Sequence, residues 1–137
     1  MKIAQAISIP LMGDECVTTP QEVAREIDLG TFGIISIKTT RTGYTLSQKI
    51  VHLAEMAGIS CLMGTQAETD IGALASVHFG AAQRNMPYPS ENSFFLCLKD
   101  TLLQEPIPFS QGTIVLPGRP GNGVIIDEDK LKKYRMD

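Results

Sequence analysis

No uninterrupted apolar run approaches the ~20 residues that a membrane-spanning helix requires, which argues against a membrane protein. The opening "MKIAQAIS" lacks the apolar core and small-residue cleavage site of a secretory leader. No long basic run is present and the formal net charge is −3, which argues against a non-specific nucleic-acid or anionic-membrane surface. Cysteine is scarce: Cys16, Cys61 and Cys97 form no CxxC pair and are odd in number. They read as reduced thiols of a cytoplasmic protein, not as a disulfide frame or metal ligands. There is no low-complexity tract. The glycine-rich stretch Pro117 to Gly123 lacks the strand-to-helix context of a phosphate cradle and reads as a turn.

What is present suits one ordinary domain: 137 residues, 43% hydrophobic and 20% charged, enough to build a core. The organisation is strand, loop, helix, repeated. "SIPLMGDECV" (8–17) reads as a buried strand stopping on two acids, Asp14 and Glu15. Thr19-Pro20-Gln21-Glu22 is a helix start, with a capping Thr, a Pro in the first turn and a Glu three residues after the cap. Gly30 ends that helix. "GIISIK" (33–38) is a second strand, closed by Lys38. Leu46, Ile50, Leu53, Ala54 and Ala57 follow at helical spacing and stop at Gly58. "ISCLMG" (59–64) is a third strand, 71–83 a small-residue helix, and "NSFFLCL" (92–98) a fourth strand. Beyond it, Thr113 to Leu116 and Val124 to Ile126 are strand-like, and Asp127 caps a short basic helix. This alternation predicts an α/β chain of four parallel βα units plus a C-terminal extension.

In parallel sheets, chemistry gathers at the C-terminal ends of the strands. Here those ends carry Asp14 and Glu15, then Lys38, then Thr65 and Glu68, with Glu91 leading into the fourth strand. Carboxylates on one rim suit a hard cation such as Mg²⁺. A lysine beside a cation can have its pKa lowered into a useful range for proton transfer. Any one of these residues alone would ordinarily be a solvated loop residue or half of an ion pair. His52 and His78 fall on helices, away from the strand ends, and read as surface or packing residues.

The string "GDECVTTPQEVAREIDLGTFGIISIKTTRTG" resembles the fifth and sixth barrel-strand region of the enolase superfamily, muconate cycloisomerase subgroup of the mandelate racemase and muconate-lactonizing family. The family pattern there is Ala-Asp-Glu-Ser followed by Lys-x-x-Lys-x-Gly-Gly, and the spacing of Asp14 and Lys38 matches it. The resemblance continues through "AEMAGISCLMGTQAETDIGALASVHFGAA" and "LLQEPIPFSQG" to "PGRPGNGVIIDEDKLKKY". It implies the C-terminal half of a (β/α)8 barrel: residues 1–105 as half-barrel and 106–137 as an extension that would pack toward a capping domain. It implies Asp14 as one of three carboxylate ligands of Mg²⁺ (Mn²⁺ also possible) and Glu15 beside it. Lys38 would face the α-carbon of a small carboxylate substrate or the developing charge. Thr65 and Glu68 would stand on the rim, and Glu91 would serve as a proton donor. The implied reaction is proton transfer next to a carboxylate through an enediolate.

The departures are Cys16 for the usual Ser, Arg41 for the second Lys and Tyr44 for the second Gly; no Asp-x-Asp near the fourth strand disfavours a dipeptide epimerase. A racemase or an acid-sugar or hydroxy-acid dehydratase is also consistent with the pattern. Strand starts near residues 8, 33 and 59 set a repeat of about 26 residues, and eight such units need ~200 residues or more. The other two metal carboxylates, a Lys-x-Lys pair and the capping domain of the family have no counterpart here. A half-barrel with open edges is expected to associate, with a complementary N-terminal chain or with a second copy. Alone, it is expected to bind Mg²⁺ poorly, and a catalytically incomplete assembly or binding module is the alternative to an enzyme.

Overall fold

The computed structural model describes residues 2–136. Its centre is a parallel sheet in the order β1-β2-β3, formed by β1 (Met12–Gly13), β2 (Ile34–Ile37) and β3 (Ser60–Met63). The chain between strands forms α2 (Pro20–Leu29) and α3 (Thr39–Met56). A short α1 (Lys2–Ala6) precedes the sheet and α4 (Asp70–Ala81) follows it.

The helix-start signal at Thr19 works as its chemistry requires. Thr19 Oγ1 accepts from the Glu22 amide while the Glu22 carboxylate accepts from the Thr18 and Thr19 amides, so donors that the first turn would orphan are paired. Gly30 closes α2 in the left-handed conformation that lacks a Cβ penalty. α3 is broken at Gly43, whose φ of 69° and ψ of 170° suit glycine alone. The break leaves a single turn, Thr39 to Thr42, directly after Lys38, and the amides of Arg41 and Thr42 both return to the Lys38 carbonyl.

β2 is central and buried throughout. Alternate side chains leave a strand on opposite faces. With Ile35 paired to Cys61 and Ile37 to Met63, one face packs on the helices. There Ile35, Ile37, Cys61 and Met63 meet Val17, Val23, Ile50, Val51, Ala54 and Phe79 in one apolar cluster. A second cluster joins Ala73 and Leu74 of α4 to Leu103 and Ile107, with Phe95 and Val124 against it.

Four expectations change. The first strand is only Met12–Gly13; Ile7 and Ile9 are exposed, and Ile9 retains 73% of its accessible surface, so 8–17 is no buried strand. Residues 92–98 form a 3₁₀ helix, Phe94–Cys97, instead of a fourth strand. The place beside β3 is taken earlier, by 85–91: the Cys61 amide donates to the Asn85 carbonyl and the Glu91 amide to the Met63 carbonyl. Pro87 and Pro89 lack amide hydrogens, so this segment lies along the edge without forming a regular ladder. The C-terminal region has a two-residue hairpin, β4 (Phe109–Ser110) with β5 (Thr113–Ile114), which shortens the expected 113–116 strand. The expected strand at 124–126 is a single bridge between Ile126 and Leu103. Asp127 caps α5 (Glu128–Tyr134) as expected, accepting from the Asp129 and Lys130 amides.

Candidate functional site

The register fixes which polar residues share a face. Met12, Ile34 and Ser60 lie in line across the sheet, so Asp14, Ser36 and Leu62 follow two residues on, and Lys38 and Gly64 two beyond. This is the face away from the helices, and its polar groups collect at the C-terminal ends of the strands. Lys38 is nearly buried, its side chain 7% exposed. Its Nζ donates to Asp14 Oδ2 at 2.7 Å and to Glu15 Oε1 at 3.1 Å. Arg41, on the single turn that follows Lys38, reaches back to the same acid. Its Nη1 lies 3.5 Å from Asp14 Oδ1 and its Nη2 donates to the Asp14 carbonyl at 3.3 Å.

Gly64 makes room for this arrangement. A Cβ there would run into Ser36 Oγ and lie 3.0 Å from Lys38 Cε, so the lysine stem lies across the third strand's end only because that residue has no side chain. The electrostatics follow from the same contacts. Burial opposes the charge on Lys38, but its hydrogen bonds to Asp14 and Glu15 outweigh burial and raise its pKa above the ordinary lysine value. The Lys38 hydrogen bond in turn lowers the pKa of Glu15.

The other anticipated residues sit apart. Thr65 Oγ1 donates to Glu68 Oε1 at 3.2 Å, and the Gln66 amide donates to the same buried carboxylate, so these bonds close the turn from β3 into α4. Glu91 is exposed, its amide holding it beside the end of β3, and its carbonyl accepts from the Ser93 amide. His52 is exposed and bonds to Gln48, whereas His78 contacts the Asn122 carbonyl.

Two members of the cluster were missed. Arg41 appeared only as a departure from a motif, though its position three residues past Lys38 puts it on the same turn. Ser36, two residues before Lys38, shares its face by simple alternation, and its hydroxyl is buried without a hydrogen-bond partner among the described residues.

A divalent cation does not fit these residues by themselves. Both Asp14 carboxylate oxygens already face cations, and among the described residues no group of three or more His, Cys, Asp or Glu side chains converges as a metal site. Among the described residues no helix is long and apolar enough to cross a membrane.

The family described as enolase C-terminal domain-like matches residues 1–130. Muconate cycloisomerase 1 of Rhodococcus opacus is 34% identical over 134 residues, covering 97% of this chain and 36% of that enzyme. The L-Ala-D/L-Glu epimerase of Bacillus subtilis is 34% identical over 125 residues, covering 90% and 34%. The crystal structure of the muconate lactonizing enzyme of Mycobacterium smegmatis superposes with a TM-score of 0.94 at 40% identity, over 99% of this chain and 39% of that one. The chain spans about a third of the length of the curated relatives it matches.

Proposed function

The chain belongs to the enolase C-terminal domain-like family, and we propose from this that it is the C-terminal part of a cytoplasmic isomerase of the muconate cycloisomerase and racemase type, moving a proton next to a substrate carboxylate. One observation carries the reading: Lys38 ends its strand on the open face of the sheet, 2.7 Å from Asp14 at the end of the neighbouring strand. Most of a parallel sheet's lysines have no reason to be buried on such a rim. This one is held by two acids and an unobstructed glycine.

In this reading Lys38 Nζ is the group that gives or takes the proton at the substrate α-carbon. As found, it is an ammonium, and so a proton donor and a counter-charge for a developing enediolate. To act as a base it must shed the hydrogen bonds of Asp14 and Glu15, which is the shift a bound substrate or cation would have to bring about. Arg41 holds Asp14 from the opposite side, so Asp14 keeps its place when Lys38 moves. Glu91 is the second proton-transfer group, and Thr65 and Glu68 shape the rim. Mg²⁺, or Mn²⁺, is the cation this chemistry calls for, with Asp14 supplying one of its ligands and the rest coming from beyond this chain. Residues 1–105 make up the half-barrel part, with 85–91 in the fourth sheet position, and 106–137 the extension.

The alternative, an assembly module without catalysis, is favoured by one observation, the lack of a converging metal-ligand group among the described residues. The two readings separate in a chimera in which this chain replaces the matched region of the Rhodococcus opacus enzyme. Turnover of muconate, of a dipeptide or of another small carboxylate by the chimera supports the isomerase and identifies its substrate class. A folded chimera inert toward the whole panel supports the module.

A further inference from the structure

The chain has asparagine at positions 85, 92 and 122, and only Asn122 is followed by glycine. Glycine has no Cβ to shield its backbone nitrogen from the neighbouring carboxamide. Here it cannot be exchanged for a bulkier residue. Gly123 has a φ of 75°, and a Cβ there would lie 2.5 Å from Pro117 Cβ. The turn begins at Gly121, whose φ of 68° suits a left-handed first corner. The Gly123 amide closes it on the Pro120 carbonyl at 3.2 Å, the long end of the ordinary range. Asn122 is half-buried, and among the described residues its carboxamide has no hydrogen-bond partner. The other two asparagines are more confined. Asn85 donates to the Ile59 carbonyl at 2.8 Å, and Asn92 is buried. The main chain of Asn122 is held from the other side. Its carbonyl lies 3.2 Å from His78 Nε2, and a carbonyl only accepts, so His78 carries a proton on Nε2. That bond ties the last turn of α4 to the turn at Asn122. Just beyond, the chain is anchored again: Val124 packs against the cluster of Ala73, Leu74 and Leu103, and the Gln104 amide donates to the Ile125 carbonyl.

We propose that Asn122 is a site of spontaneous deamidation and that the His78 contact is the gate on it. The Gly123 amide gives its proton to hydroxide or a buffer base. Its nitrogen then bonds to Asn122 Cγ, a solvent proton returns, and ammonia leaves, which closes a five-membered succinimide. Water opens that ring at either carbonyl, to aspartate or to isoaspartate. No atom is oxidised or reduced. Ring closure needs the Gly123 amide released from the Pro120 carbonyl and the Asn122–Gly123 peptide free to rotate. The bonds to Pro120 and His78 both oppose this, so the reaction waits for the turn to open locally. Isoaspartate carries its own methylene in the main chain. The added carbon falls between two anchors, His78 on one side and Val124 on the other. It parts residue 122 from His78 and loosens the turn that leads into Val124. The site does not depend on the isomerase reading.

The test incubates the folded chain in mildly alkaline buffer and follows each asparagine by peptide mass spectrometry, with isoaspartate told from aspartate by fragmentation. Asn122 is expected to convert at least tenfold faster than Asn85 or Asn92, and Asn122→Gln to show no conversion at that position. His78→Ala, shown to be folded by amide exchange in α4, should convert Asn122 at least threefold faster than wild type. His78→Phe, which keeps a ring and loses the donor, should do the same, and the chain unfolded in urea should be faster still. In NMR the isoaspartate form should shift the His78 ring signals and lose protection at the Gly123 amide. Asn122→Asp, which adds the charge without the extra carbon, should keep that protection. Conversion of Asn122 no faster than that of the other two asparagines would overturn the site. Equal rates in wild type and both His78 variants would overturn the gate.

Discussion

Lys38 is the residue on which the proposed chemistry turns, and its surroundings make it testable by stability as well as by rate. Its pKa lies above the ordinary 10.5, so the stability from its ammonium is fully present below that value and is lost as pH rises through the raised folded value. Glu15 runs the other way. Its pKa is lowered from 4.5, so its contribution is present above 4.5 and lost as acid carries the pH through the lowered folded value. The difference in urea midpoint between wild type and Lys38→Met should therefore be constant between these limits and shrink beyond both. Asp14→Asn removes the closest partner of a buried ammonium and should cost about 1–3 kcal/mol at neutral pH by the same titration. Cys61 is pushed up to about 12, first by burial and then by Glu55. A thiol reagent at pH 8 should modify the exposed Cys16 and Cys97 quickly and Cys61 only on unfolding.

At the scale of elements, Gly64 and Gly43 are the positions where backbone geometry serves the site. Gly64→Ala should push Lys38 off Asp14 and cost about 1–3 kcal/mol through overpacking, read by denaturation and by a shift of the lysine Nζ signal in NMR. Thr19→Ala, which breaks the capping box of α2 far from the rim, should cost about 1 kcal/mol and leave that signal unchanged. Elements with strong local chemistry were legible in sequence. The Thr19 cap, the β2 and β3 runs, the α4 helix and the Asp127 cap all stand where their residues put them. The first strand was misread because "SIPL" is apolar and strand-like, yet nothing described here covers it, and burial is a tertiary property. The 92–98 strand failed for a similar reason. "NSFFLCL" has strand propensity, but the edge of β3 was already met by 85–91, which its two prolines disguised as a loop. At the site, the strand-end reading put Asp14, Glu15 and Lys38 on one rim. It missed Arg41 and Ser36, whose roles depend on a turn and a register.

For the whole molecule, the central claim is that this chain carries the proton-transferring lysine of a larger isomerase and part, not all, of its cation site. The lone chain should accordingly show no saturable Mg²⁺ binding by calorimetry in the millimolar range, because Asp14 is held by Lys38 and Arg41 and, among the described residues, no group of three or more His, Cys, Asp or Glu side chains converges. Exchange of the substrate α-proton for solvent deuterium, followed by NMR in the chimera with the Rhodococcus opacus enzyme, tests the claim most directly. The account predicts exchange in the chimera carrying Lys38, and a loss of at least a hundredfold in one carrying Lys38→Met, general acid–base catalysis being worth roughly that much or more. Equal exchange in both, with the fold intact, would contradict it.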